Sequence, residues 1–248
     1  MHNLMTLLKK LYLPSDSLSV EALTQHLPGQ KTLALSMLNT QGLTRAMVII
    51  FNKVGNHDED RHWTRLCSVA NTLQSEFGFP APAVSISGDH GYGLWLSLES
   101  PVAAEDAQKF VQLLHAAYFP DMELAADSVR IPVELPPCLH AATGMWAAFI
   151  DPGLGASFAD EAWLEMAPPI AGQIALLKDL HSISAAQFNA ALKQLQAEHD
   201  PVSVANRASP STGVIRDGLL LRDATLEDVI NFLHSKNIEP TFRHRLPE

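Results

Sequence analysis

The chain has 248 residues, of which 47% are hydrophobic and 18% are charged, a balance typical of a compact globular protein and unlike a disordered chain. Its formal net charge of −10 argues against a protein that coats nucleic acid through bulk electrostatics, and its two cysteines lack the CxxC spacing of a zinc site. No apolar run approaches the ~20 residues of a membrane span, and no cleavage site for a secretion signal follows the leucine-rich start. We therefore expect a reduced, cytoplasmic protein that does not enter a membrane.

Periodicity and turn residues predict helices at the start of the chain and a hairpin after them. Leucines at helical spacing open the chain and stop at Pro14, and a serine is available as N-cap at 17 or 19. Acidic residues begin the next helical pattern, which Gly78 ends. In chain order, the predicted elements are helices over 1–13 and 17–28, a hairpin of 32–38 with 46–51, and a helix over 58–77.

The stretch from Val84 to Leu98 predicts a strand, a tight glycine turn and a second strand. In the second strand leucines alternate with Trp95 and Ser97, which is the period-2 pattern of a half-buried strand. Glycines at 88, 91 and 93 would let the backbone take positive φ and approach a ligand closely. The local pattern alone is also that of an ordinary hairpin.

After this hairpin a helix is predicted over 103–118, and from Asp160 the chain is predicted to be helical, with helices over 160–166, 170–180 and 184–199. Ser182 or Ser184 is available to cap the last of these helices, and Pro168 ends the short one. Pro, Ser and Asn are concentrated after the helix over 184–199, which is typical of a linker. We expect one domain over 1–199, with 1–30 as a helical lead-in and 160–199 as a helical extension, a linker over 200–213 and a small hairpin-helix appendage over 214–248.

Three ordered blocks resemble the archaeo-eukaryotic primase superfamily, and most closely the primases of TOTE-type conflict operons. Ser87 to Trp95 resemble the family's Ser-Gly-x-x-Gly-aromatic-His-hydrophobic-Trp motif, and the lead-in helix with its glycine turn resembles the segment before the first strand. The third block is similar over Val129–Pro132, His140–Gly144 and Phe149–Pro152. The resemblance covers about residues 17 to 196. It implies an α/β (α+β) fold, with a mixed, largely antiparallel sheet like an RNA-recognition module, flanking helices, a cleft over the motif strands and a helical C-terminal extension.

The same resemblance implies where catalytic groups belong. Active members end the first strand with an Asp-hydrophobic-Asp pair, whose carboxylates point the same way and hold divalent metal with the triphosphate. Here Ile50 and Asn52 occupy those positions, Gly93 stands where the family has a nucleotide-contacting histidine, and Asp127 best matches the third acid. We interpret the catalytic motifs as degenerate and expect no cofactor, with magnesium or manganese only if the ligands are displaced.

The acids and histidines around position 58, and His140, each have a structural and a functional interpretation. Asp58 and Asp60, beside His57 and His62, are either substitute metal ligands or residues that complement a helix dipole, and the helix context favours the second. His140 at its Thr-Gly turn is expected to be structural.

If the cleft still binds a ligand, we expect the contacts to come from groups that do not depend on a bound metal ion. Turn amides can form an anion-binding concavity, and an arginine can grip phosphate with two hydrogen bonds. Tyr92 has either a base-stacking or a core role, and Arg130 either binds phosphate or bridges to Asp127 or Glu134. The candidate nucleic-acid or phosphate contacts are Lys53, Ser87, Gly88, His90, Gly91, Tyr92 and Arg130.

Three functional hypotheses follow. The favoured one is a degenerate primase-like subunit that binds single-stranded or duplex nucleic acid, or a partner protein, in the DNA or RNA transactions of a mobile-element or defence system. The alternatives are an active primase or nucleotidyltransferase with displaced metal ligands, and a scaffold subunit of a protein complex whose cleft is unused. The missing Asp-x-Asp pair and Gly93 favour the first.

Overall fold

The computed structural model describes residues 1–14, 20–53 and 61–199, all within one compact unit, Met1–Val204. The serine caps at 17 and 19, the acidic cluster at 57–60, the linker 200–213 and the appendage 214–248 lie outside the described residues. No helix of the described part is long and apolar enough to cross a bilayer.

The described chain alternates helices with short and long strands. The helices are α1 (His2–Leu11), α2 (Val20–His26), α3 (Arg61–Ser75), α4 (Ala104–Tyr118), α5 (Ile170–Leu177) and α6 (Ala185–His199), with 3₁₀ helices at Ser128–Arg130 and Pro152–Phe158. The strands are β1 (Ala34–Leu35), β2 (Leu43–Asn52), β3 (Ala83–Ile86), β4 (Gly91–Ala103), β5 (Val133–Glu134), β6 (Cys138–Leu139) and β7 (Trp146–Ile150).

Five strands form an antiparallel sheet in the order β2-β4-β3-β7-β6, and β1 pairs with β5 in a separate two-stranded sheet. The long central strand β4 pairs with β2 on one side and with β3 on the other. The predicted α/β (α+β) fold, with a largely antiparallel sheet flanked by helices, is confirmed.

The two faces of the large sheet bury different sets of side chains. On one face, alternate residues of β2 such as Ile49 and Phe51 join β4 leucines and the apolar sides of α3, α4 and α6 in the main core. On the other face, Trp95 and Phe149 join α1 and α5 in a second core. Because α1 and α5 cover only part of this face, Ile50 on β2 remains 41% exposed.

The half-buried strand predicted from the alternation in β4 is wrong. Trp95 is only 2% exposed and Ser97 only 7%, so the strand is buried on both faces from Gly91 to Leu98. The physical reason is the lead-in helix, because Tyr12 at its end lies 5.3 Å from the Trp95 ring between centroids. A strand that is covered on both faces no longer needs a polar side.

Two further predictions need correction. The run 32–38 does not form a regular hairpin with β2, since the two are joined only by an isolated Leu38–Thr44 bridge and β1 pairs with β5 instead. Leu35 and Met37 of this run instead pack in the second core, which also contains leucines of α1. The helix predicted at 160–166 is absent, because Ala162 and Leu164 bridge to backbone groups near the sheet. The other helices predicted in the described part are present.

Candidate functional site

The uncovered part of the sheet face forms the floor of a cleft. Ile50 on β2 lies directly opposite Gly93 on β4, and Gly93 in turn pairs with Ser85 on β3. Asn52, two residues beyond Ile50, is also exposed, whereas Phe51 between them is fully buried. Period-2 alternation therefore places Ile50 and Asn52 on the same face, as the sequence predicts.

Two adjoining cavities lie on this floor, of about 250 Å³ and about 610 Å³. Both contact Ile50, and both are walled by Ile131 and Val133 from the segment that leads into β5, so we treat them as two halves of one cleft. The smaller half continues over Gly93 and Trp95, and the larger half runs along β2. The size of the larger half falls within the ~300–1,000 Å³ typical of ligand sites.

The structure brings together on this floor the three positions that the sequence analysis interprets as degenerate, Ile50, Asn52 and Gly93, but not the residual acid Asp127. This donor set does not fit a divalent cation, since Ile50 has no ligand atom and Asn52 offers a neutral amide. Asp127 lines neither cavity; it is exposed and precedes a 3₁₀ helix, and its carbonyl accepts a hydrogen bond from the Arg130 amide at 2.8 Å. Within residues 1–14, 20–53 and 61–199, no three His, Cys, Asp or Glu side chains are placed to hold a metal.

The side chains of Trp95 and Ser85 fill the space next to Gly93. The indole N–H of Trp95 donates a hydrogen bond to Ser85 Oγ at 2.8 Å, across the glycine. A Cβ at position 93 would lie 2.8 Å from both of these atoms, closer than real contacts allow. The space where the histidine implied by the motif resemblance would begin is therefore filled by a buried tryptophan and Ser85.

The two turn amides predicted to bind an anion, those of Gly88 and Gly91, are both engaged within the protein. Ser87 Oγ accepts hydrogen bonds from the amides of Asp89 and Gly91, both at 3.1 Å, and the Gly88 amide donates to the Ala162 carbonyl at 2.9 Å. This is contrary to the anion-binding concavity predicted there. Positive φ is also limited to Gly88, at +81°, among the three glycines.

Gly91 lies next to Asn52 and not next to a ligand. A Cβ at Gly91 would meet Asn52 Oδ1, the end of an exposed side chain that is able to turn away, and would lie 3.1 Å from the Phe51 carbonyl oxygen.

The two candidate cations make ion pairs away from the cavities. Lys53 Nζ lies 2.9 Å from Asp160 Oδ1, and this hydrogen bond and the lysine charge lower the pKa of Asp160. Arg130 pairs with Glu105, so the predicted bridges to Asp127 or Glu134 are wrong. Neither cation lines the cleft.

The two aromatic candidates have separate positions. Tyr92 is fully buried in the main core, its hydroxyl donates to the Gly155 carbonyl at 2.7 Å, and its ring centroid lies 5.0 Å from that of Trp63. This is the core role and not the stacking role. His90 is exposed, with Nε2 3.3 Å from an Asp89 carboxylate oxygen and its ring against Trp163.

Glu134 is the cleft residue that sequence reasoning undervalued. It lies in the wall of the smaller cavity, and its Oε2 atom is buried without a hydrogen-bond partner. Burial raises the pKa of Cys138 to about 12, and the negative charge of Glu134 adds to this shift. The available signal is a single acid inside the apolar, proline-rich run 131–137.

The buried His26 links the wall of the smaller cavity to the lead-in by hydrogen bonds. His26 Nε2 lies 2.7 Å from the Leu135 carbonyl, and Nδ1 accepts a hydrogen bond from the Leu33 amide at 3.0 Å. This pattern requires a neutral ring with the proton on Nε2. Burial lowers the pKa of His26, opposed by the Leu135 hydrogen bond and the Glu134 charge. His140 at the far side of the smaller cavity bonds within its own turn, with Nδ1 3.1 Å from Thr143 Oγ1.

No protein-family model and no curated protein matches the sequence. Among solved structures, the chain is similar to the AEP domain of the cyanophage S-2L primase-polymerase, with 13% identity, a TM-score of 0.32, and coverage of 55% of this chain and 61% of that one. It is also similar to the polymerase domain of Mycobacterium tuberculosis ligase D in complex with DNA, with 15% identity, a TM-score of 0.38, and coverage of 68% and 57%. The chain thus spans less than two thirds of either structure. The roles of individual residues therefore rest on this chain's own contacts.

Proposed function

We propose that this protein is a primase-like domain that does not polymerise nucleotides and that uses its open cleft to bind a protein partner. The observation that carries the proposal is the cleft floor, where exposed Ile50 lies opposite Gly93 in the place of the expected catalytic groups. Phosphoryl transfer in polymerases depends on metal placement and charge stabilisation. A floor of isoleucine, asparagine and an indole supplies neither.

Charge favours a protein ligand over nucleic acid. The acidic side chains Glu123 and Glu134 line the cleft, and no lysine or arginine lines it among the described residues. Neutralising phosphates requires cations, and the two nearest candidates, Lys53 and Arg130, are engaged by acids. Single-stranded nucleic acid is therefore the alternative to be tested.

Apolar exposure supports the same choice. Ile50 and Ile131 are 41% and 48% exposed, and they face the same cleft from the floor and from the wall. Clustered exposed apolar side chains are typical of protein interaction sites. A role within a mobile-element or defence system rests on the motif resemblance alone, and co-purification from native cells would test it.

A primer-synthesis and extension assay with magnesium or manganese tests the loss of catalysis. We expect no template-dependent incorporation above a buffer control. Incorporation that disappears in the Asp127→Ala variant would contradict the proposal and support displaced metal ligands.

A gel-shift titration at low salt tests the ligand class. We expect no shift of single-stranded DNA or RNA by the wild type. Binding that weakens in a folded Arg130→Ala variant, with a shallower salt dependence, would instead support the nucleic-acid alternative.

A further inference from the structure

The free edge of β2 lies beside the larger cavity, and from it we infer that the partner binds as an extended peptide strand added to β2. This inference rests on the proposed function and specifies its partner. Among the described residues, β2 is an edge strand of the five-stranded sheet, with β4 on one side and only the Leu38 bridge to Thr44 on the other. Strand addition to an exposed edge is a general mode of peptide recognition.

The pairing with β4 identifies which backbone groups face outward. The Lys53 amide donates to the His90 carbonyl at 2.9 Å, which makes these two residues a hydrogen-bonded pair. Hydrogen-bonded and non-bonded pairs alternate along an antiparallel ladder. Val48, Ile50 and Asn52 are therefore in the non-bonded pairs, and their N–H and C=O groups point to the free edge. Among the described residues, no hydrogen bond reaches these groups from that side.

The larger cavity, of about 610 Å³, is lined by these same three β2 residues and, on the opposite side, by Leu124, Ile131 and Val133. An added strand would lie about 4.8 Å from β2. It would place alternate side chains on the cleft face, against Ile50 and the apolar wall.

The middle of this edge carries little of the usual protection. Native edge strands commonly carry a charged residue or a proline that prevents pairing with other chains, or are covered by a helix or loop. The stretch from Met47 to Phe51 is entirely apolar, although Lys53 follows it and the 3₁₀ helix Ser128–Arg130 packs near β2. An apolar edge beside a cavity is suited to receive a strand.

The acidic side chains of the cleft favour a peptide that carries a basic residue. Glu123 lines the larger half, and the unpartnered Oε2 of Glu134 is buried in the wall of the smaller half. A lysine or arginine of the peptide would compensate these acids, whereas an acidic peptide would be repelled. The occupant is therefore an extended segment of about five residues, alternately apolar, with a basic residue.

The test uses the full chain and a blocked, fluorescent peptide of about eight residues, in which valine and threonine alternate between terminal lysines. Fluorescence anisotropy gives its affinity. We expect binding that falls at least about tenfold when alternate peptide amides facing β2 are N-methylated, since each loses a backbone hydrogen bond. N-methylation in the other register, where amides face away from β2, is the matched control and should change the affinity less than about twofold.

Two protein variants locate the site. Ile50→Pro removes an outward N–H, which an edge strand tolerates, and should abolish peptide binding. Ile50→Lys places a charge on the edge and should weaken binding about tenfold or more. Leu154→Lys, at an apolar side chain 60% exposed outside the cleft, is the control and should leave the affinity unchanged. Circular dichroism verifies that each variant is folded.

Each outcome decides the inference separately from the proposed function. Absence of peptide binding, or equal affinity for both N-methylated registers, overturns strand addition, while the polymerase assay alone decides the loss of catalysis. Dimerisation in sedimentation that Ile50→Pro removes would make a second copy of this chain the occupant and would overturn the peptide assignment. Displacement of the peptide by single-stranded DNA, with unchanged affinity in Ile50→Pro, would overturn both.

Discussion

Replacing Gly93 with alanine should destabilise the protein by disrupting the hydrogen bond that crosses it. The new Cβ would lie 2.8 Å from Trp95 Nε1 and 2.8 Å from Ser85 Oγ, which are themselves joined by a 2.8 Å hydrogen bond. Trp95 is 2% exposed and Ser85 also 2%, so neither group can turn to water. Leaving a buried donor unsatisfied costs about 1–3 kcal/mol, and overpacking a core costs about 1–3 kcal/mol. Because relaxation relieves part of each, we expect a loss of about 2–4 kcal/mol.

Urea denaturation followed by far-UV circular dichroism measures this loss as a change in midpoint at constant slope. Gly172→Ala, in α5, is the matched control, because a Cβ at position 172 would meet no heavy atom within 4 Å. Helix propensity predicts that this control is about 0.5–1 kcal/mol more stable than the wild type.

A double-mutant cycle then tests the cause. Trp95→Phe removes the indole N–H, so adding Gly93→Ala in that background should cost about 1–2 kcal/mol less than it does in the wild type. A cost below about 1 kcal/mol for Gly93→Ala alone, or purely additive effects in the cycle, would refute the conclusion that the tryptophan fills the histidine position.

Three other predictions follow from single contacts. Gln173→Leu should cost about 2–4 kcal/mol in urea denaturation, since the buried amide both donates to and accepts from the Phe149 backbone at 2.9 Å, whereas exposed Gln74→Leu should be nearly neutral. Ile50→Asp with Asn52→Asp should change the unfolding free energy by less than about 1 kcal/mol because both sites are exposed, and addition of Gly93→His should lower the melting temperature sharply. Burial lowers the folded-state pKa of His26, so the unfolded state binds its proton more readily, and stability should be constant above about pH 6.5 and fall as pH drops below it. His26→Gln should flatten that slope relative to the wild type, and an equal slope in both proteins would contradict the assignment.

Local periodicity was sufficient to predict the elements that bury one side against their immediate neighbours. The leucines of α1 and the apolar sides of α3, α4 and α6 are spaced for a helix, and the structure has them. Alternation in β2 was also sufficient to place Ile50 and Asn52 on one face. In these cases a side chain's direction follows from its own backbone.

Predictions failed where the partner is distant along the chain. Burial of Trp95 depends on Tyr12 in the lead-in, the Gly88 amide is satisfied by Ala162, and Arg130 is paired with Glu105. No local pattern specifies these partners, because each is set by how the helices and loops close over the sheet. The candidate anion site was the most affected, since free amides and a free guanidinium cannot be distinguished from engaged ones in a sequence.

The same long-range packing supports the proposed loss of catalysis by a second route, besides the missing carboxylates. Restoring acids at 50 and 52 would return possible ligands to exposed positions, but the position opposite Ile50 is closed by the Trp95–Ser85 hydrogen bond. Trp95 is held by Tyr12 and Phe149 in the second core, with ring centroids 5.3 and 5.6 Å away. The tryptophan therefore cannot withdraw without disturbing the packing of α1 on the sheet. An apolar floor held from the side by α1 in this way suits the burial of a partner's side chains, as proposed.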